Sequence, residues 1–135
     1  MAKISYLEYS NRDYKYANDM FFLENYDPTG RFCQQSIEKR MKYFIELHGT
    51  SEDIFLLQTH NLAKLYDRIC KIKGIGINKE TRCDLSILTD YYFDSSRPQE
   101  QGNAELTQEM AKEAIEIMKK MNSWVDDLLG GLENV

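Results

Sequence analysis

Residues 110–128 read MAKEAIEIMKKMNSWVDDL, and this stretch indicates the fold class. Its apolar residues recur in steps of four, three, four, three and four, which keeps them on one stripe of a helix. The residues of that stripe are Met110, Ala114, Ile117, Met121, Trp124 and Leu128. The residues that widen it are Ala111, Ile115, Met118 and Val125. The spacing predicts an amphipathic helix, with Asn103 as its N-cap and Gly130-Gly131 as its stop.

Four earlier segments show helical spacing too, and none alternates with period two over a useful length. Their apolar lines are Tyr16-Met20-Leu23 beside Ala17-Phe21, Cys33-Ile37-Met41-Phe44, Leu62-Leu65-Ile69-Ile72 and Leu85-Leu88-Tyr92. Polar, Gly- or Pro-containing breaks at 27–30, 49–53, 73–78 and 95–103 separate the segments. Thr59 or His60 is the predicted cap of the third segment and Asn78 that of the fourth. Because the loops are short, we predict an all-α, up-and-down bundle of four to five helices.

Composition limits the classes of protein to which the chain can belong. Its 135 residues fit one domain, 1–135, and the net charge of −5 argues against a non-specific nucleic-acid coat while leaving room for a small basic cleft. No apolar run is long enough to cross a bilayer, and the first residues do not form a secretory signal. The cysteines Cys33, Cys70 and Cys83 form no Cys-x-x-Cys pair, so we expect reduced thiols in a cytoplasmic protein.

No complete active site can be identified from residue types and spacing. The two histidines, His48 and His60, each fall at a helix end, where a structural role is expected. We expect no metal site and no cofactor, because neither a His/Cys ligand cluster nor a phosphate loop is present in the sequence. Two basic groupings lie on single helices, Lys39-Arg40-Lys42 and Lys64-Arg68-Lys71. The expected role of each is a solvated helix face, and the alternative is a rim that contacts phosphates.

Several motifs occur in an order that resembles the HEPN family. Residues 30–42, GRFCQQSIEKRMK, look like the long second helix of that family, with its glutamines, a small residue and Glu-Lys. Residues 59–65, THNLAKL, are similar to its Thr-His-x-Leu-x-x-Leu helix start. Residues 88–98, LTDYYFDSSRP, resemble its Leu-x-x-x-Tyr segment with an Arg-Pro turn, and an amphipathic helix closes the pattern. The resemblance covers about Asp13 to Leu129, which is the predicted core of the domain.

The resemblance implies a helical bundle that forms a homodimer. It also implies a minimal nucleotidyltransferase as partner in a toxin–antitoxin-like system, and RNA or a nucleotide as ligand. Many family members are metal-independent RNases that carry an arginine and, four to six residues later, a histidine. The tentative binding residues carried over to this chain are Arg97, Lys39, Glu38 and His60.

The chain departs from the RNase pattern at the histidine. Arg97 lies in the expected loop, but Gly102, Asn103 and Ala104 occupy the positions where the histidine should fall. Since losing an acid–base group typically costs a factor of 10²–10⁴, we expect a catalytically degenerate binding module rather than an enzyme. Two alternatives stay open. One is an RNase with an altered acid–base residue, using His60, Arg97 or Tyr91, and the other is a structural helical adaptor.

Overall fold

The computed structural model describes residues 5–96 and 106–130, and every regular element within those ranges is a helix. This confirms the predicted all-α class. The elements are α1 (Tyr6–Phe22), α2 (Tyr26–His48), a 3-10 helix (Ser51–Gln58), α3 (Leu62–Lys73), α4 (Lys79–Ser96) and α5 (Gln108–Gly130).

Helix α2 lies at the centre of the bundle and contacts each of the other elements. Its predicted apolar line is fully buried, and the buried lines of α3 and α4 pack into the same core. The residues of these lines with no exposed surface are Cys33, Ile37, Met41, Phe44, Leu62, Leu65, Ile69, Leu85 and Leu88. Burial of such side chains contributes roughly 1.5–3 kcal/mol each, so this shared core is the main source of stability.

Contacts between helices show how the chain runs. Helix α1 is antiparallel to α2, since Ser10 contacts Ser36 while the later Tyr16 contacts the earlier Phe32. Helices α3 and α4 are antiparallel too, since the Leu62 amide meets Thr89 and the Tyr66 hydroxyl meets Asn78. The 3-10 helix carries the chain from the end of α2 back toward its middle. His60 therefore lies beside the central turns of α2.

Two predicted helix starts were wrong, and each error has a local cause. The Asn61 side chain, and neither Thr59 nor His60, caps α3 by accepting a hydrogen bond from the Lys64 amide. Helix α5 begins at Gln108, later than predicted, where the Thr107 hydroxyl accepts from the Met110 amide, and the predicted cap Asn103 lies outside the described residues. Asn78 does cap α4, since its side chain accepts from the Thr81 amide.

Two predicted loops proved to be partly helical. Asp27-Pro28-Thr29-Gly30 reads as a turn but forms the first turns of α2, where a proline has no helical hydrogen bond to lose. The predicted break at 49–53 leads directly into the 3-10 helix, which a capping box between Thr50 and Asp53 begins. Ser95 and Ser96 belong to α4, and the rest of the predicted 95–103 loop lies outside the described residues.

The buried face of α5 is rotated slightly from the predicted stripe. The widening residues Ala111, Ile115, Met118 and Val125 are buried, whereas Met110, Ile117, Trp124 and Leu128 are only half-buried. Helix α5 packs against both α2 and α1. The centre of its buried face therefore falls between the predicted stripe and the line of residues that widen it. Across the described residues, no helix is both long and apolar enough to span a membrane.

Candidate nucleotide-binding groove

A groove of about 740 Å³ runs along α1 and α2 and ends at Tyr92 of α4. Small-molecule sites typically enclose roughly 300–1,000 Å³, so the groove is large enough for a nucleotide. Its lining combines aromatic rings, three cationic side chains and two carboxylates. The lining residues are Tyr6, Tyr9, Arg12, Asp13, Tyr16, Asp27, Pro28, Arg31, Phe32, Gln35, Lys39 and Tyr92.

Cations and rings of the groove are paired. The Arg12 guanidinium carbon lies 5.2 Å from the ring centroid of Tyr9, and that of Arg31 lies 5.8 Å from the ring centroid of Tyr92. An aromatic face attracts a nearby cation, so these pairs hold positive charge beside flat apolar surface. Such a surface suits a ligand that has both a phosphate and a base.

The two acids of the groove are partly neutralised by their surroundings. Asp27 accepts a hydrogen bond of 2.7 Å from the Leu106 amide, which attaches the residues before α5 to the start of α2. Burial raises the pKa of Asp13, Lys39 and Arg12 oppose the rise, and the negative charge of Glu38 adds to it. Asp13 therefore takes up a proton more readily than an exposed aspartate does.

A buried carboxylate, Glu38, adjoins the groove from within α2. Its side chain is only 1% exposed and is surrounded by hydrogen-bond donors. Oε1 accepts from Gln34 Nε2 at 3.1 Å and contacts His60 Nδ1 at 2.9 Å. Oε2 accepts from Lys42 Nζ at 3.1 Å, and Lys39 Nζ lies 3.8 Å away. We call these five residues the Glu38 cluster.

The surroundings keep Glu38 ionised. Burial raises the pKa of Glu38, but Lys42, the hydrogen bonds from Gln34 and His60, and Lys39 together lower that pKa below its ordinary value of 4.5. The carboxylate therefore accepts hydrogen bonds at neutral pH. Lys42 is also buried, so each charge depends on the other inside the bundle.

A second polar cluster lies elsewhere along α2 and centres on Arg40. The guanidinium donates to Ser10 Oγ at 3.2 Å, to Asp126 Oδ1 at 2.6 Å and to Asn11 Oδ1. We call these four residues the Arg40 cluster. It joins α1, α2 and α5.

The structure corrects the prediction that Lys39-Arg40-Lys42 forms a solvated face. Arg40 and Lys42 are buried, and Lys39 is half-buried. A helix at the centre of a bundle has no fully solvated side, so its buried cations need partners on the same helix or on neighbouring ones. Arg40 is paired with Asp126 of α5, whose side chain is 53% exposed.

Three of the four predicted site residues meet in one place. Glu38, Lys39 and His60 belong to the Glu38 cluster, and Lys39 also lines the groove. Arg97 lies outside the described residues. Tyr91 is half-buried and its ring approaches Gly30 of α2, while Lys64 and Lys71 are exposed and Arg68 pairs with Asp53.

Sequence reasoning missed several residues of this region, although the sequence held a signal for some of them. Gln34 and Lys42 lie four residues before and four after the predicted Glu38, which puts three polar groups on one line beside the apolar line of α2. Tyr9, Arg12 and Tyr16 recur at helical spacing on α1. Because that line reads equally well as a solvated face, its position on the groove could be found only from the packing of α1 on α2.

In a comparison with protein-family models, residues 5–128 match a HEPN domain. The chain belongs to the HEPN family. The matched range contains α1 to α4, all of α5 except its last two residues, and both polar clusters. No curated protein and no solved structure matches the chain significantly. Membership of the HEPN family supports a role connected with nucleotides or RNA at the level of the family, whose members commonly form dimers.

Proposed function

We propose that this HEPN domain is a binding module for a nucleotide or an RNA segment, which it holds in the groove between α1 and α2. The observation that carries the proposal is the lining of the groove, where Arg12, Arg31 and Lys39 stand among the rings of Tyr9 and Tyr92.

Local charge supports an anionic ligand. The chain as a whole carries a net charge of −5, yet the groove contains three cations and two carboxylates, one of which is bound to a backbone amide. A cleft with excess positive charge concentrates phosphates even on an acidic protein. The rings supply stacking surface, worth roughly 1–3 kcal/mol per base in single-stranded complexes.

Binding of a fluorescent single-stranded RNA of about 12 nucleotides, and competition by nucleotides, tests the proposal. We expect Arg12→Ala/Arg31→Ala to weaken binding at least tenfold. The salt slope should fall by about 1.4, since each lost phosphate contact removes about 0.7. Arg82→Ala is the matched control, because Arg82 pairs with Asp67 on α3 and does not line the groove.

Failure of the wild-type protein to bind any of these probes would contradict the proposal, as would equal binding by the double variant. That result would favour the structural-adaptor alternative.

The proposal includes assembly and location. We expect a homodimer, and Phe22 and Leu23 at the end of α1 offer exposed apolar surface for it, with Phe22 85% exposed. Sedimentation of Phe22→Ser/Leu23→Ser against the wild type tests whether this surface contributes. A minimal nucleotidyltransferase is the expected partner, and co-purification with one encoded by an adjacent gene tests this. Three unpaired cysteines, with Cys83 exposed, fit a reducing cytoplasm.

A further inference from the structure

A second cavity, of about 420 Å³, lies between the α3–α4 connection and the C-terminal half of α5. It shares no lining residue with the groove along α1 and α2. Its volume falls within the range of roughly 300–1,000 Å³ that is typical of ligand sites. We call it the Trp124 pocket, and its main residues are Tyr66, Gly76, Thr81, Lys120, Trp124 and Asp127.

The apolar part of the Trp124 pocket has the composition of a protein-binding surface. The ring centroids of Trp124 and Tyr66 lie 5.3 Å apart, and Met121 and Ile75 add further apolar lining. Tryptophan, tyrosine and methionine are enriched in protein interfaces, because they combine a large contact area with few lost degrees of freedom or with adaptable shape. The pocket therefore suits an apolar side chain of another protein.

The α3–α4 connection leaves the pocket open at Gly76. This glycine lines the pocket between the exposed Ile75 and Ile77. Its backbone is not left-handed, and a Cβ added to it would meet no atom within 4 Å. Neither backbone conformation nor packing within the fold requires a glycine here. The missing side chain has one clear effect, which is to keep the pocket accessible.

Thr81 brings an unused polar group to the pocket. Its backbone amide donates to the Asn78 side chain, but its hydroxyl forms no hydrogen bond within the part of the chain that the structure describes. The residue is only 8% exposed and lines the pocket. Because a buried hydroxyl without a partner costs free energy, a ligand that brings a peptide N–H or C=O to it gains affinity.

Opposite charges flank the pocket. Lys120 and Asp127 lie seven residues apart on α5, on either side of Trp124, which separates their backbones by about 10.5 Å along the helix axis. Within residues 5–96 and 106–130 neither has an ion-pair partner. A phosphate backbone would be repelled by Asp127 as it was attracted by Lys120, so this pocket does not suit a nucleic acid. It suits a ligand that carries an acid, an apolar group and a base in that order.

We propose that the Trp124 pocket binds an extended peptide segment of a partner protein, in which an acidic, an apolar and a basic residue occupy alternate positions. Residues at alternate positions of an extended chain point to one side, and the outer two are about 13 Å apart. The acid then meets Lys120, the apolar side chain packs on Trp124 and the base meets Asp127. A peptide group of the same segment bonds to the Thr81 hydroxyl. This site is separate from the groove and does not depend on the proposed function.

Fluorescence of Trp124 tests the proposal directly, because Trp124 is the only tryptophan in the chain. The probe is the peptide Gly-Asp-Ala-Phe-Ala-Lys-Gly with blocked ends, titrated into the full chain. We expect a saturable change in fluorescence with a Kd below about 1 mM. Replacing the phenylalanine of the peptide with serine, or its lysine with aspartate, should weaken binding about fivefold or more.

Variants of the protein locate the binding. Gly76→Leu should weaken binding of the peptide about tenfold or more, because the leucine fills the pocket. Lys120→Glu should weaken it about fivefold and should make Gly-Lys-Ala-Phe-Ala-Lys-Gly the preferred peptide. Lys119→Glu is the matched control, since Lys119 is exposed on the same helix and does not line the pocket.

Several results would overturn the proposal. They are the absence of a saturable signal with the wild type, unchanged affinity in folded Gly76→Leu, and an unchanged peptide preference in Lys120→Glu. Displacement of the peptide by RNA would assign the pocket to nucleic acid, and a fluorescence change that follows protein concentration alone would assign it to a second copy of the chain. Anisotropy of a labelled RNA measures binding in the groove separately, so either proposal can fail while the other stands.

Discussion

The two polar clusters on α2 bury similar charges in different ways. The Arg40 cluster ends on side chains of α1 and α5, and its acid, Asp126, is half in solvent. The Glu38 cluster encloses its acid completely and leaves an imidazole at the surface. In the Arg40 cluster, the buried charge joins three helices. In the Glu38 cluster, the buried charge holds the half-exposed imidazole of His60, which can form part of a binding site. The four predictions below test this difference.

The largest effect on stability is expected from Glu38→Ala. This change leaves Lys42 buried without a counter-charge, which costs about 3–5 kcal/mol. Urea denaturation measures the free energy of unfolding. Glu46 lies about two turns further along α2 and is exposed. Glu46→Ala should therefore leave the free energy of unfolding within about 0.5 kcal/mol of the wild-type value. A loss below about 1 kcal/mol for Glu38→Ala would show that water reaches the cluster.

Arg40→Met should cost less, about 1–3 kcal/mol. Methionine keeps the apolar stem, and the abandoned Asp126 carboxylate is 53% exposed, so solvent can take over its hydrogen bonds. We expect RNA binding to remain unchanged, because Arg40 does not line the groove. Denaturation and fluorescence anisotropy on the same samples check both parts. A loss of binding would mean that the two clusters are coupled through α2.

Lowering the pH should reduce the stability that the Glu38 cluster contributes, by a smaller amount than Arg40→Met costs. The pKa of Glu38 is lowered in the folded protein, so its stabilisation is fully present above the unfolded value near 4.5 and is lost as pH falls through the folded pKa. The free energy of unfolding between pH 7 and pH 3 should decline more steeply for the wild type than for Glu38→Gln. Parallel curves for the two proteins would contradict this expectation.

The smallest effect on stability is expected from the double variant Glu38→Gln/Lys42→Met. It removes both buried charges, and the new glutamine can still contact Gln34 and His60. The free energy of unfolding should therefore change by only about 1 kcal/mol. RNA binding should be retained, because neither Glu38 nor Lys42 lines the groove. A loss of more than about 3 kcal/mol in the free energy of unfolding would contradict this expectation.

Much of the bundle could be predicted from the apolar spacing alone. The line Cys33-Ile37-Met41-Phe44 is fully buried as predicted, because a core-facing line has one physical role. Helix ends were harder, since Thr59, His60 and Asn61 are consecutive residues and two of them are good caps. Only the backbone geometry decides among neighbours of this kind.

The site was predictable in part. Glu38, Lys39 and His60 were named from the family motifs, but nothing in the sequence joins Glu38 to His60 across 22 residues. The burial of Arg40 and Lys42 was missed because a basic run on a helix has the same spacing whether it is solvated or buried. Long-range charge pairing depends on how helices pack, which local spacing does not encode.

The hydrogen bond from Leu106 to Asp27 has a consequence for how this domain can change over evolution. Residues 97–105 join two anchored ends, the last turn of α4 and a backbone amide held at the rim of the groove. A connection held independently at both ends can gain or exchange residues at little cost, because closure entropy rises slowly with length. The number of residues between α4 and α5 can thus change over evolution while the helices on either side remain as they are.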